Sequence, residues 1–184
     1  MNLLHEASPS LAMKPIAVGD MAVNPNLHFI ISDYIDMTDE LPDLSLAEEI
    51  AQVHRNSISP NGQYGSSAPV SCGEKLMHVD WAPTWELFFS RYISRIFDLE
   101  KELQGPDPKV QELTKQILEK VIPRLLRPLE TGGRTIQPRL IHGDLWDGNT
   151  STNKATNKPI IFDSGCIYAH NEGIQTLKLA SGLH

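Results

Sequence analysis

The chain has 184 residues, enough for one ordinary domain or for part of a larger one, and its 40% hydrophobic and 21% charged content excludes a wholly disordered polypeptide. With 23 acidic against 16 basic residues and a net charge of -7, a nucleic-acid backbone is not the expected main partner, because such binding draws on clustered Lys and Arg. Cys72 and Cys166 lack metal-type spacing and imply a reducing compartment rather than a disulfide framework, and no stretch approaches the roughly 20 apolar residues of a membrane span. The opening residues, Met1 to Leu11, have no apolar run of the signal-peptide kind, so the cytosol or another reducing lumen is the expected location.

In chain order, residues 2–8 read as the tail of a helix stopped by Ser8-Pro9, since a residue before proline leaves the helical region. His28 to Tyr34 is rich in β-branched and aromatic residues and reads as a buried strand. Ser45-Leu46-Ala47-Glu48 is a capping box that opens a helix ending near Ser57, with Leu46, Ile50 and Val53 on its inner face. Residues 58–80 show Gly, Ser, Pro and Asn without a period, which suggests a long functional or mobile loop. The run holding Trp81, Trp85, Phe88, Phe89, Tyr92, Ile96 and Phe97 has helical spacing and reads mainly as core, with ligand stacking by Trp81 or Trp85 as the alternative.

Asp107-Pro108 looks like an N-cap followed by proline at the first helical position. Val110, Leu113, Ile117, Val121 and Leu125 then mark the inner stripe of a second long helix, with a bend expected at Pro123. Arg139-Leu140-Ile141 leads into a polar, Gly-containing loop over 142–149. Two short strands, at Thr150-Ser151 and at Pro159 to Phe162, flank a polar turn, and residues 173–184 carry no strong pattern. No internal repeat is visible.

The chemistry is concentrated in His142-Gly143-Asp144-Leu145-Trp146-Asp147-Gly148-Asn149 and in Ile160-Ile161-Phe162-Asp163-Ser164-Gly165. An aspartate and an asparagine stand five positions apart on one loop, and a second aspartate ends a strand-like run. Phosphoryl transfer calls for that set: one carboxylate to accept or orient the hydroxyl proton, and an amide oxygen with a second carboxylate to hold Mg²⁺. Asp144 is therefore the candidate catalytic base, with Asn149 and Asp163 as the candidate metal ligands. The Asp-to-Asn spacing equals that of the kinase H-R-D-x-x-x-x-N motif, with Gly143 in place of the arginine. Read without function, the same residues are ordinary turn formers. His142 is expected to anchor backbone groups rather than move protons. Zinc, an EF-hand and a serine hydrolase are unsupported, since H-E-x-x-H, the Ca²⁺-loop spacing and G-x-S-x-G are all missing from the sequence.

These residues resemble the fructosamine/ketosamine-3-kinase family. HGDLWDGN and PIIFDSGCIYAHNE carry the resemblance, supported upstream by Phe29 to Tyr34, by Leu46 to Ser57 with His54-Arg55, and by Gln63-Tyr64-Gly65 with Trp81 to Phe89. It covers roughly residues 7–172. The resemblance implies a protein-kinase-like fold of the α/β (α+β) class, with a mostly helical C-lobe and a remnant of the N-lobe sheet. It implies an N-lobe remnant and hinge strand over 1–34, a C-lobe with the catalytic loop over 35–172 and a divergent tail over 173–184.

The resemblance further implies ATP- and Mg²⁺-dependent phosphorylation of the O3 hydroxyl of ketosamines, on glycated protein lysines or small adducts, with neither nucleic acid nor membrane as partner. It places adenine at the backbone near Asp33 and Tyr34, and the sugar at Trp146. The family's phosphate-covering loop, its strand lysine and its final helices have no counterpart in this sequence. Two other readings therefore stay open: a non-catalytic kinase-like binding module, and a small-molecule kinase of the aminoglycoside or choline type.

Overall fold

A computed structural model describes residues 1–38, 40, 45–72 and 75–174. Helix α1 (Asn2–Ala7) is followed by strands β1 (Pro15–Met21), β2 (Asn24–Ser32) and β3 (Met37–Thr38), then by helix α2 (Ser45–Asn56). Strands β4 (Val70–Cys72) and β5 (Lys75–Met77) precede helices α3 (Trp85–Gln104) and α4 (Pro108–Gln116). A π-helical turn (Ile117–Val121) leads into α5 (Ile122–Leu126) and a 3₁₀ turn (Arg127–Glu130). Strand β6 (Arg139–Ile141), a 3₁₀ turn (Asp147–Asn149), β7 (Thr150–Asn153), β8 (Lys158–Ile161), β9 (Ile167–Ala169) and a 3₁₀ turn (Asn171–Ile174) complete the described chain. Among the described residues no helix is long and apolar enough to cross a membrane.

The chain divides into two compact units, Met1–Ser57 with His142–Cys166, and Ile58–Ile141 with the described part of Ile167–His184. In the first unit, β1 and β2 form an antiparallel hairpin, while β3, β7 and β8 form a three-stranded sheet with β7 in the middle. Leu4, Leu11, Ala12, Val53, Ile160 and Ile161 are buried, and Ile161 N–H donates to the Leu11 carbonyl at 2.8 Å. Helix α1 ends at the expected Ser8-Pro9, where Ser8 N–H reaches the Leu4 carbonyl at 2.8 Å and Ser8 Oγ donates to Glu49 Oε2 at 3.1 Å.

The expected strand at His28 forms, but it is not buried. Phe29, Ile30, Ile31 and the following Tyr34 are exposed. A two-stranded ribbon buries its apolar residues only where another layer covers it. Local contacts hold the hairpin instead: Phe29 lies across Gly19 in the opposite strand, and the His28 ring meets Asp20 at 2.7 Å.

The core of the second unit gathers Tyr64, Trp85, Phe88, Ile96, Leu99, Ile141 and Ile167. Helix α3 starts where Thr84 Oγ1 accepts from Leu87 N–H at 3.3 Å, which satisfies a donor the helix itself cannot. Glu130 fixes that end: its Oε2 accepts Trp85 N–H at 2.7 Å and its Oε1 accepts Tyr64 O–H at 3.1 Å. The expected core role of the aromatic run holds for Trp85 and Phe88, and Trp81 packs against Tyr168. Residues 58–80 are not a structureless loop. Tyr64 bridges Ala82, Gly65 bridges Tyr168, and β4 pairs with β5.

Asp107 caps α4 as expected, accepting from Lys109 and Val110 N–H at 2.7 and 3.2 Å. The expected stripe beyond it is displaced. Val110, Leu113, Val121 and Leu125 are exposed, whereas Ile122 is buried and Leu126 and Leu129 pack on the core. The π-helical turn explains the later part of this shift. Ile122 N–H bonds five residues back to Ile117, next to Pro123, which has no N–H to give. The extra residue in that turn advances the inward positions by one, from 121 and 125 to 122 and 126.

Candidate functional site

The motif loop follows β6, and its first residue is its anchor. His142 is buried, its Nε2 lies 2.9 Å from the Phe162 carbonyl, and its Nδ1 accepts Asp144 N–H at 3.3 Å. A ring that donates from Nε2 and accepts at Nδ1 is neutral. Burial lowers its pKa below the usual 6.5, outweighing the Phe162 hydrogen bond and the charges of Asp144 and Asp163, which raise it. The imidazole thus joins the motif loop to the end of β8.

A second junction joins the two loops backbone to backbone. Gly143 has φ +84, and a Cβ there would collide with the carbonyl of Gly165. Only glycine allows this approach, which is the physical reason for a glycine where protein kinases have arginine.

Asn149 is the hub. It is buried at the end of the 3₁₀ turn, held by its N–H to the Trp146 carbonyl at 2.9 Å and by its carbonyl to Phe162 N–H at 3.1 Å. Its Nδ2 donates to the Asp144 carbonyl at 2.8 Å and to Asp144 Oδ2 at 3.1 Å, and lies 3.5 Å from the Asp163 carbonyl. Three acceptors on one side settle which amide atom is nitrogen, so Oδ1 faces away from them. Among the described residues Oδ1 accepts no hydrogen bond, and neither do the Asp163 carboxylate and Asp144 Oδ1. Asp163 itself has φ +55, an uncommon left-handed conformation for a residue with a side chain.

The structure thus brings Asp144, Asn149 and Asp163 together. Trp146 lies beside this hub, 40% exposed, with its indole against Gly148, where a Cβ would stand 2.5 Å from the ring. Asp33 and Tyr34 are exposed just after β2, and among the described residues neither bonds to the motif loop. Their segment is nonetheless tied to the strands that follow Asn149. Lys154 Nζ pairs with Asp36 at 2.7 Å, β3 pairs with β7, and Ser151 Oγ donates to the Thr38 carbonyl at 2.6 Å.

Gly165 and the Asp36–Lys154 tie were not singled out from the sequence. The Asp-Ser-Gly that follows a strand was the available signal for the first. Nothing local signals a pair 118 positions apart.

Among the described residues no group of three or more His, Cys, Asp or Glu side chains could hold a metal by itself. The free oxygens of Asn149 and Asp163 suit a hard cation that takes few protein ligands and draws the rest from phosphate and water, as Mg²⁺ does.

The family profile described as fructosamine kinase matches residues 1–180. A rice (Oryza sativa subsp. japonica) protein-ribulosamine 3-kinase, chloroplastic, is 30% identical over 161 residues, which is 86% of this chain and 44% of that protein. A mouse (Mus musculus) ketosamine-3-kinase is 36% identical over 111 residues, 60% of this chain and 33% of that protein. A crystal structure from Haemophilus somnus 129PT, provisionally named a fructosamine-3-kinase, superposes with TM-score 0.61 at 18% identity, covering 94% of this chain and 55% of that one. One from Thermobifida fusca YX-ER1, named in the same way, gives 0.59 at 19% identity, over 83% of this chain and 50% of its own. The chain spans about half the length of the curated relatives it matches. With its profile matched along nearly all of its length and its mixed α/β fold shared with those structures, the chain belongs to the fructosamine kinase family.

Proposed function

We propose that this chain carries the catalytic part of an ATP-dependent phosphotransferase acting on the O3 hydroxyl of ketosamines, the adducts of sugars with protein lysines. The observation that carries the reading is the Asn149 side chain, whose Nδ2 is bonded to Asp144 and faces the Asp163 backbone, while among the described residues its own Oδ1, the Asp163 carboxylate and Asp144 Oδ1 accept no hydrogen bond. Asp144 is the base: Oδ2 is oriented by the amide, and Oδ1 takes the proton of the acceptor hydroxyl as its oxygen bonds to the γ-phosphorus of ATP and the bond from that phosphorus to the departing ADP oxygen breaks. Asn149 Oδ1 and the Asp163 carboxylate would hold Mg²⁺, which when bound would neutralise charge on the phosphates. Trp146 offers an exposed apolar face to the sugar, and the backbone at Asp33 and Tyr34 meets adenine. Glycated proteins or small ketosamines are the substrates in this reading, and the cytosol its location.

Competition assays test the substrate class. With Mg²⁺·ATP, a ribulosyl-lysine peptide should gain one phosphate by mass, and choline and an aminoglycoside should gain none. Preferential turnover of either of the latter would replace the ketosamine assignment by a small-molecule kinase of another type.

A further inference from the structure

Helix α3 carries two arginines on a face that borders an extended segment. Along β5 and past its end, Met77 and Val79 are buried while His78 and Asp80 are exposed, the alternation of an extended chain with one side on the core. Phe88, Arg91, Tyr92 and Arg95 share one face of α3 by their helical spacing. Between the two lies a cavity of about 170 Å³, wholly within the second unit. Its floor is apolar: Val79 and Phe88 are buried, and the Phe88 ring stacks on Tyr92 with centroids 6.0 Å apart. Arg91, Arg95 and His78 border it, with Asp80 as the acid among the described lining residues.

The arginine pair lacks a close counter-ion. Among the described residues Arg91 makes no hydrogen bond or ion pair, and Arg95 reaches only Glu102, at 3.9 Å with both side chains half-exposed. Like charges four residues apart on a helix repel, and an anion held between them relieves that repulsion. Acidic residues outnumber basic ones by 23 to 16, yet no carboxylate among the described residues stands against Arg91. Two guanidinium forks above an apolar floor, where charge-assisted hydrogen bonds gain strength, are the donor set of an oxyanion site.

Size and charge narrow the anion. The cavity is well below the roughly 300–1,000 Å³ of a cofactor pocket and suits one small group. A phosphate dianion or a free dicarboxylic acid would set its second charge against Asp80, whereas a single carboxylate would not. We propose that this cavity binds an aspartate or glutamate side chain of another protein, with the carboxylate on Arg91 and Arg95 and the methylene stem over Phe88 and Val79. His78 can add a donor in either of its charge states. This assignment does not depend on the phosphotransfer reading.

Amide NMR titration of the full chain at constant ionic strength tests it, with N-acetyl-glutamate amide, N-acetyl-glutamine amide, succinate and inorganic phosphate as probes. The glutamate compound should give saturable shifts confined to residues 78–80 and 88–95, with a Kd on the order of 1 mM, and the glutamine compound should give none. Arg91→Gln should weaken binding several-fold, and Arg91→Gln with Arg95→Gln should abolish saturation. Arg134→Gln, which removes the same charge outside the cavity, should leave affinity unchanged. Both cavity arginines are exposed, so the amide spectra of the variants should otherwise match wild type. An equal response to the glutamine compound, unchanged affinity in the double variant, an equal loss in Arg134→Gln, or no saturation with wild type would overturn the oxyanion site. Tighter binding of phosphate would overturn the carboxylate, and tighter binding of succinate would overturn the side-chain occupant.

Discussion

The first unit holds two antiparallel hairpins built on opposite terms. In β7–β8, Thr150 and Ser151 are buried on one strand and Pro159, Ile160 and Ile161 on the other, and the mouth of the hairpin is closed by Asn149 and Phe162. In β1–β2, apolar residues are as frequent but uncovered, with Val18 73% and Ile30 55% exposed where Ile161 is fully buried. The β7–β8 hairpin carries the candidate metal ligands at its mouth, so their placement is set by packing that the unit supplies itself. Among the described residues the β1–β2 hairpin is held chiefly by cross-strand contacts within its own ribbon, and its uncovered apolar surface is of the kind that takes a partner.

Substitutions can break or sharpen this contrast. The largest effect should come from Ile161→Ala, which removes a fully buried side chain at about 2–5 kcal/mol, whereas Val18→Ala should stay within about 0.5 kcal/mol. Urea denaturation of the two variants reads the difference directly, and equal losses would mean that the β1–β2 hairpin is packed as firmly as the other.

Gly143→Ala comes next, because the new methyl meets the Gly165 backbone at a positive φ and should cost about 1–3 kcal/mol. The same denaturation curve should move together with loss of phosphate transfer. A variant of full stability and full turnover would show that the two loops need not touch.

At Asp163 the left-handed backbone separates stability from chemistry. Asp163→Gly should be more stable than Asp163→Ala by about 1 kcal/mol, since glycine adopts positive φ without strain, while both should lose transfer. Calorimetry and a mass assay on the pair decide this. Retained turnover in the glycine variant would remove Asp163 from the metal site.

The pH dependence is smaller and has a fixed sign. His142 has a folded pKa below its ordinary 6.5, so its contribution to stability is present above pH 6.5 and is lost as pH falls below that value. Thermal melts at pH 7.5 and at pH values below 6.5 should show the melting temperature falling on acidification, and His142→Asn should flatten that part of the slope. A melting temperature that rises on acidification would contradict a buried neutral imidazole.

Much of the site was legible in the sequence because its signals are local. Asp-Gly turns, a strand ending in aspartate and a five-residue Asp-to-Asn spacing specify short-range geometry, and the structure brings Asp144, Asn149 and Asp163 together through one amide. The stop at Ser8-Pro9 and the cap at Asp107-Pro108 were readable for the same reason. What escaped depends on distant or absent neighbours. β-branched composition marks His28 to Ser32 as strand but cannot tell whether a second layer covers it. Helical periodicity assumes an unbroken 3.6-residue turn, so the π-helical turn before Pro123 moved the inner face from Val121 to Ile122 unseen. The contact of Gly143 with Gly165 needs both loops folded before either glycine acquires a meaning.

In the proposed reaction Asp144, positioned by Asn149, takes the proton of an acceptor hydroxyl during phosphate transfer. Its most direct test is the turnover of Asp144→Asn on a ribulosyl-lysine peptide with Mg²⁺·ATP, beside far-UV circular dichroism and a thermal melt of the same sample. The expected result is an unchanged fold and a rate lower by about 10²–10⁴-fold. A folded variant that transfers phosphate at the wild-type rate would contradict it.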